Sequence, residues 1–349
     1  MSKKSVLESL GRACFICSAV FVFSIAGAKA ADSGYHIVRR IPVGGEGNWD
    51  YLKVDPDMHR IYLSRGTHTM VVDEISGKVL GDIANTKGVH GIAIAEDLGK
   101  GFTSNGQANT VTAFDLKTLK TLSEIMVTGE NPDWILYDPG TKRVFTFNGR
   151  TSNATAIDAA TEKVVGTLAL GGKPEEATVD GKGNIFVNLE DKSAMAEFDA
   201  NTLTLKGTWP LAPCDGPSGI AMDMEHRRVF SACDKVMTVL DADTGKVVAS
   251  PPIGGDPDGA AYDPGTGLAF ASCREGLLSV IHEDGPDKYS VVANVMTQFG
   301  ARTLSLDPKT HHVFTVTADF QAAPAPTADN PRPRPQMIPN SFVILELAE

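Results

Sequence analysis

Seven copies of one short phrase recur along this chain at a nearly constant interval. The clearest copy runs from Asn131 to Phe145 and reads NPDWILYDPGTKRVF. Alignment on Asp138 puts Asp50, His90, Asp133, Glu175, Ser218, Asp258 and Arg302 at one equivalent position. The steps between them are 40, 43, 42, 43, 40 and 44 residues. A period of about 40–45 residues built from short strands is the mark of a propeller blade. The chain is therefore expected to be all-β, a seven-bladed β-propeller with four-stranded antiparallel blades.

Each copy has the same internal order. A small-residue strand such as Gly219–Asp223 leads into a turn such as Asp138-Pro139-Gly140-Thr141 or Asp263-Pro264-Gly265-Thr266. Asp and Pro suit the first positions of type I turns. A β-rich strand follows, such as Arg143–Phe147, then a third strand ending in Asp, as at Asp73, Asp115, Asp158, Asp199 and Asp241. A second turn and a fourth strand, such as Val247–Ala249, complete the unit. The seventh copy stops at its third strand, Ser341–Leu347, and lacks a fourth. Tyr35–Val43 precedes the first copy and has the right character, so it is expected to pair with the last blade and close the ring.

The strand copies Phe102-Thr103-Ser104-Asn105 and Phe145-Thr146-Phe147-Asn148 resemble the Tyr-Val-Thr-Asn motif of YncE-like propellers. The resemblance spans residues 31–349 and implies an exported propeller that acts as a binding or interaction scaffold. Other copies depart from the motif, among them Tyr62–Arg65, Phe186–Leu189 and Phe314–Thr317. No Gly-His and Trp-Asp pairing recurs, which disfavours a WD40 array. With Trp49, Trp134 and Trp209 alone, the repeat also lacks the per-blade tryptophan of quinoprotein propellers.

Residues 1–30 read as a leader outside the fold. Lys3, Lys4 and Arg12 precede the apolar run Ala13–Ile25, and Ala28-Lys29-Ala30 is a small-x-small cleavage site. The expected location is periplasmic or secreted, with no membrane span. Removing the +3 of residues 1–30 from the chain's −11 leaves −14 for residues 31–349. Such acidity argues against a nucleic-acid partner held by bulk electrostatics and favours cations. The expected form is a monomer with a small-molecule or protein partner at the channel mouth.

In a propeller the first strand of each blade lines the central channel, so the aligned position forms a ring at one mouth. Asp50, His90, Asp133, Glu175, Ser218, Asp258 and Arg302 are the candidate ligand-binding residues. Four carboxylates on one axis repel each other unless their pKa values rise, Arg302 separates them or a cation binds. His90, Asp133 and Glu175, from three consecutive blades, are the candidate metal set. Carboxylates suit Ca²⁺ or Mg²⁺, and His90 also admits Zn²⁺ or Mn²⁺. The alternative function is a metal-dependent hydrolase or lyase, lactonase-like, with His90 or a carboxylate as base.

Trp49 and Trp134 flank ring positions as walls of a pocket or as packing between blades. Arg65, Asn105, Asn148, Arg150 and Arg274 read as loop polarity on the ring face, able to orient a polar ligand. His59, Arg60, Arg143, Arg227, Arg228, His311 and His312 start second strands and read as solvated ends on the opposite face. Outside the leader, three cysteines allow one disulfide: Cys214–Cys233 is favoured and Cys233–Cys273 is the runner-up. The Pro-rich stretch 318–340 reads as an inserted extended segment over the ring face.

Overall fold

The computed structural model describes residues 33–285, 287–325, 327, 333 and 335–349. The expected leader lies outside the described residues. The rest forms seven four-stranded antiparallel sheets. The third is representative: Pro132–Asp138, Arg143–Asn148, Asn153–Asp158 and Lys163–Ala169, paired in sequence order. The innermost strand of each blade touches its two neighbours, so the blades close into a ring. The chain is a seven-bladed β-propeller.

The last blade is completed as the sequence predicts. His36–Pro42 pairs antiparallel with Val343–Ala348, with His36 opposite Ala348 and Pro42 opposite Val343. No sheet edge is left open at the join.

Packing between blades explains why the repeat must be kept. The third residue of every second strand is aromatic: Tyr62, Phe102, Phe145, Phe186, Phe230, Phe270 and Phe314, all 0% exposed. Burying each ring stabilises by roughly 2–3 kcal/mol, so the series is a main source of stability. The turn aspartates Asp55, Asp138, Asp180, Asp223, Asp263 and Asp307 are buried too. Each accepts hydrogen bonds from backbone N–H groups of its own turn, as Asp138 does from Gly140 and Thr141. Blade two has Ala95 here and turns instead through the 3-10 segment Glu96–Leu98.

Of the basic residues at second-strand starts, His59 is exposed as the sequence implied, while the others are half-buried and engaged. Arg143 donates to the carbonyls of Ala200 and Asn201 in the next blade, at 2.7 Å each. Arg60 reaches the Leu116 carbonyl, and Arg228 pairs with Asp287 at 2.8 Å. Arg227 pairs with Asp180 and Asp243, and His311 with Asp263. His312 pairs with Glu346, while His59 stands 3.5 Å from Glu74. Lys100 makes the same kind of link, to Glu162 and the Ala160 carbonyl. Arg60, Lys100, Arg143, Arg227, Arg228 and His311 thus tie one blade to another where the strands themselves share no hydrogen bonds, whereas His312–Glu346 and His59–Glu74 lie within one blade.

Three ring-face residues are also deeper than the sequence implied. Arg65 is 0% exposed, donates to the carbonyls of Gly44 and Glu46 and stacks 3.7 Å over the Phe342 ring. Asn105 and Asn148 are fully buried and bond to threonines of the third strand, Thr112 and Thr155. All three hold loops to their blades and none is free for a ligand. The described ends of the 318–340 segment pair with each other, Gln321 N–H donating to Gln336 O and Ile338 N–H to Asp319 O. Phe320 packs there against Trp49 and Phe299.

Candidate functional site

The aligned ring residues stand at or just before the innermost strands, which begin at Leu52, Val89, Pro132, Pro174, Ile220, Pro257 and Leu304. Five of the seven form one continuous chain of charge. Arg302 donates to Asp258 and, at 2.7 Å, to Asp50 Oδ1. The other Asp50 oxygen, Oδ2, stands 2.5 Å from His90 Nδ1. The same His90 nitrogen is 3.4 Å from Asp133 Oδ1. The order Asp258–Arg302–Asp50–His90–Asp133 therefore runs across blades six, seven, one, two and three.

The remaining two positions are occupied differently. Lys173 Nζ donates to Glu175 at 2.7 Å and also contacts Glu190. Ser218 turns its hydroxyl into the neighbouring blade and donates to the Pro257 carbonyl at 2.7 Å. Of the residues read from the sequence as a metal set, His90 and Asp133 are brought together. Asp50, rather than Glu175, supplies the third ligand atom of the group that gathers within 4.8 Å.

Local backbone contacts set these positions. The Ser104 hydroxyl accepts from the Gly91 N–H and donates to the Asp133 carbonyl, which joins blades two and three beside His90. Thr303 Oγ1 donates to the Asp50 carbonyl at 2.6 Å across the closure of the ring. Gly106 lies so close to the imidazole that a Cβ there would meet His90 Nε2 at 2.6 Å. Only glycine leaves the ring nitrogen its room.

Burial decides the protonation of this network. Burial alone would lower the His90 pKa, but the hydrogen bond to Asp50 and the charges of Asp133 and Asp50 outweigh it and push His90 up to about 9. Burial raises Asp133 to about 6, with Asp50 and Asp258 adding repulsion. Burial also raises Glu175 to about 8, helped by Asp133 and opposed by Lys173. Burial would raise Asp50 as well, yet His90 and Arg302 hold it below the usual carboxylate range. One strongly ionised carboxylate thus sits between two cations, beside carboxyls that resist ionisation.

One cavity meets this ring and a second lies beyond it along the inner strands. At the mouth, a cavity of about 370 Å³ lies over blades four to seven. Glu175, Glu190, Asp215, Asp234, Asp256 and Asp258 line it, opposed among its lining residues by Arg274 and Arg302. Arg274 Nε is itself 2.7 Å from Asp256 Oδ2. Further along the channel, a cavity of about 590 Å³ is lined by Trp134, Leu136, Glu176 and Ile220 among others. Glu176 is 3% exposed and accepts from the Ile220 N–H at 3.0 Å. Burial pushes its carboxyl well above the usual range, towards the neutral acid. Trp134 donates to the Ala177 carbonyl and meets Tyr51 edge-on, so it is a wall of the inner channel. Trp49 packs on Phe320 and Phe342.

The Cys214–Cys233 disulfide borders the mouth, next to the lining residues Asp215 and Asp234. Cys273 is a buried free thiol, pushed up to about 12 by burial. Sequence reasoning missed Lys173, Glu176 and the outer acids Asp215, Asp234 and Asp256. Glu176 had a signal: it follows Glu175 directly, and adjacent strand residues face opposite sides.

No protein-family profile and no curated protein sequence matches the chain. Solved structures do. Hydrazine synthase of Kuenenia stuttgartiensis superposes with a TM-score of 0.69 at 17% identity, over 79% of this chain and 92% of that one. The RRP9 WD40 repeats give 0.71 at 11% identity, over 92% and 99%. A chain of the mitotic checkpoint complex gives 0.70 at 12%, over 89% and 95%. These likenesses establish the propeller. At such identities they carry the fold and nothing of the site. No helix among the described residues is long and apolar enough to cross a membrane.

Proposed function

We propose that this chain is an exported, YncE-like binding propeller whose channel mouth captures a small ligand presenting positive charge. The observation that carries this reading is the mouth cavity, where six carboxylates face two arginines in about 370 Å³. That volume lies in the range of small-ligand sites. Arg302 is committed to Asp50 and Asp258, Arg274 to Asp256, and Lys173 to Glu175 and Glu190, so three cations face the six lining carboxylates and Asp50, and the field left over is negative. The disulfide supports export, since such bonds persist in oxidising compartments. The protein acts as a monomer, with residues 1–30 removed as the leader.

The test is calorimetric titration of the mature protein with di- and polyamines and with Ca²⁺. Binding should weaken at least tenfold in both Asp256→Asn and Glu190→Gln. Affinities unchanged in both variants would sink the reading.

A specific observation favours a second reading, a metal-dependent hydrolase. Asp50, His90 and Asp133 place one ligand atom each within 4.8 Å of one another. Two carboxylates and an imidazole fit a borderline divalent ion such as Zn²⁺ or Mn²⁺. An ion held there would polarise a substrate carbonyl. This chain's own contribution would be Arg302, which orients Asp50, and Gly106, which leaves the imidazole accessible. A lactone and ester screen with added metals decides: activity lost in His90→Ala at unchanged melting temperature supports it, and no turnover with any metal removes it.

A further inference from the structure

A second group of ligating atoms lies on the face opposite the mouth, between blades five and six. Asp223, His226 and Glu283 each offer one ligand atom, all within 4.8 Å of one another. Asp223 ends the innermost strand of blade five, and His226 sits in the turn that follows. Glu283 comes from the third strand of blade six, Leu277–Gly285.

Comparison with the other blades shows what is peculiar here. Asp223 is one of the buried turn aspartates, and its Oδ1 has their common task, accepting from the backbone N–H groups of Glu225 and His226. Three residues on, blades three, six and seven carry Thr141, Thr266 and Thr310, whose hydroxyls satisfy the second aspartate oxygen. Blade five carries His226 instead. The residue whose N–H bonds back to the turn is Leu116, Ala159, Ala200 and Ala242 in blades two to five. Blade six carries Glu283, whose N–H donates to Gly267 O. Two departures from the repeat, in different blades, thus converge on one shared aspartate.

The atoms are left with an unmet demand. His226 Nδ1 faces Asp223 Oδ2 at 2.7 Å and Glu283 Oε1 at 3.4 Å, and one N–H can serve only one of them well. The Glu283 side chain is 6% exposed, and its Oε1 is buried with no hydrogen bond. Its other oxygen accepts from Tyr262 Oη at 2.8 Å, which fixes Oε1 towards the histidine. A buried, unpartnered carboxylate oxygen is costly. In a tetrahedral shell with bonds of about 2.1 Å, neighbouring ligand atoms stand roughly 3.4 Å apart. The His226–Glu283 separation of 3.4 Å matches this, and the His226–Asp223 pair at 2.7 Å would open by about 0.7 Å once an ion replaced the shared proton. Blade one also has a glutamate at the equivalent place, Glu74, but His59 stands 3.5 Å from it and, among the described residues, no third ligand atom gathers with them.

We propose that Asp223, His226 and Glu283 form a zinc-class divalent metal site that clasps blade five to blade six. The His226 side chain is half exposed, which gives the ion an entry and leaves room for water as a further ligand. Tyr262 acts as the outer partner that orients a ligand carboxylate. Binding replaces the proton on Nδ1 by the metal and releases it to solvent.

The test uses the mature chain and Zn²⁺ alone, by calorimetry and by the visible absorption of Co²⁺ as a substitute. His226→Thr and Glu283→Ala install the residues that other blades carry, so both should fold, and circular dichroism verifies this. His90→Ala runs in parallel to separate the mouth. The expected result is one zinc equivalent that survives His90→Ala, weakens at least 100-fold in each of the other two variants and raises the melting temperature only where it binds. Undiminished zinc binding in folded His226→Thr, or no zinc uptake by the His90→Ala chain, overturns the proposal.

Discussion

The centre of each second strand and the rim of the channel are both set by the repeat, yet they behave in opposite ways. Seven equivalent strand positions hold seven buried aromatics. Seven equivalent rim positions hold three aspartates, a glutamate, a histidine, a serine and an arginine. Where the residue type repeats, it answers a demand that every blade shares, namely filling the wedge between neighbours. Where it varies round the ring, the blades have been given different tasks around one axis, and five of these side chains contact each other rather than a core.

This contrast can be broken at either end. The largest expected effect is in the wedge: Phe145→Ala should cost about 3–5 kcal/mol, read from chemical denaturation. Next comes the mouth's covalent tie. The double substitution Cys214→Ser with Cys233→Ser, which opens a separation of 19 residues, should cost about 3 kcal/mol. Asp263→Ala removes acceptors for Gly265 N–H, Thr266 Oγ1 and His311, and should cost about 1–3 kcal/mol.

The rim should respond to pH more than to truncation. His90 has a folded pKa of about 9, above its ordinary 6.5, so its contribution is complete below pH 6.5 and is lost as pH rises through 9. Melting temperature measured from pH 6 to 10 in chelator should fall across this window in the wild type. His90→Gln should flatten the fall; an identical slope in both would mean that His90 is not the titrating group. The smallest effect belongs to Asp133→Asn. Its carboxyl titrates near 6 in the fold, above the ordinary 3.8, so ionisation opposes folding as pH rises through 6. At pH 7.5 the amide should be neutral or stabilising by up to about 1 kcal/mol, a rise in melting temperature rather than a loss.

The period made the fold, the closing strand and the rim legible, because a propeller converts equal spacing in the chain into equal angles round an axis. The Cys214–Cys233 pairing was also within reach, since both cysteines fall on one face of one repeat. What sequence could not supply is which side chain crosses to the next blade. Arg143 and Arg60 look like exposed strand ends until the neighbouring carbonyls are placed beside them. Asn148 looks like loop polarity until the strand register sets Asn153 opposite it and brings Thr155, two residues on, within reach of its amide. Lys173 takes up Glu175 from two positions before it, a spacing that sets both on one face of an extended chain, but an alignment of one position per repeat does not look there. His226 and Glu283 lie 57 positions apart, in different repeats, and their meeting depends on blade contact alone.

The way the ring is clasped has a mechanical consequence. His36 lies opposite Ala348, at the end of the strand pair where the two flanking segments emerge together, so close that a Cβ at Gly34 would stand 3.5 Å from Glu349 Cβ. A force pulling those segments apart loads the hydrogen-bonded pairs one after another, as a zipper opens, and never the whole row in shear. A ring held by seven packed wedges is therefore expected to yield to small tension at this one seam. The same force applied between two neighbouring blades elsewhere would have to strip buried aromatic faces before anything gave way.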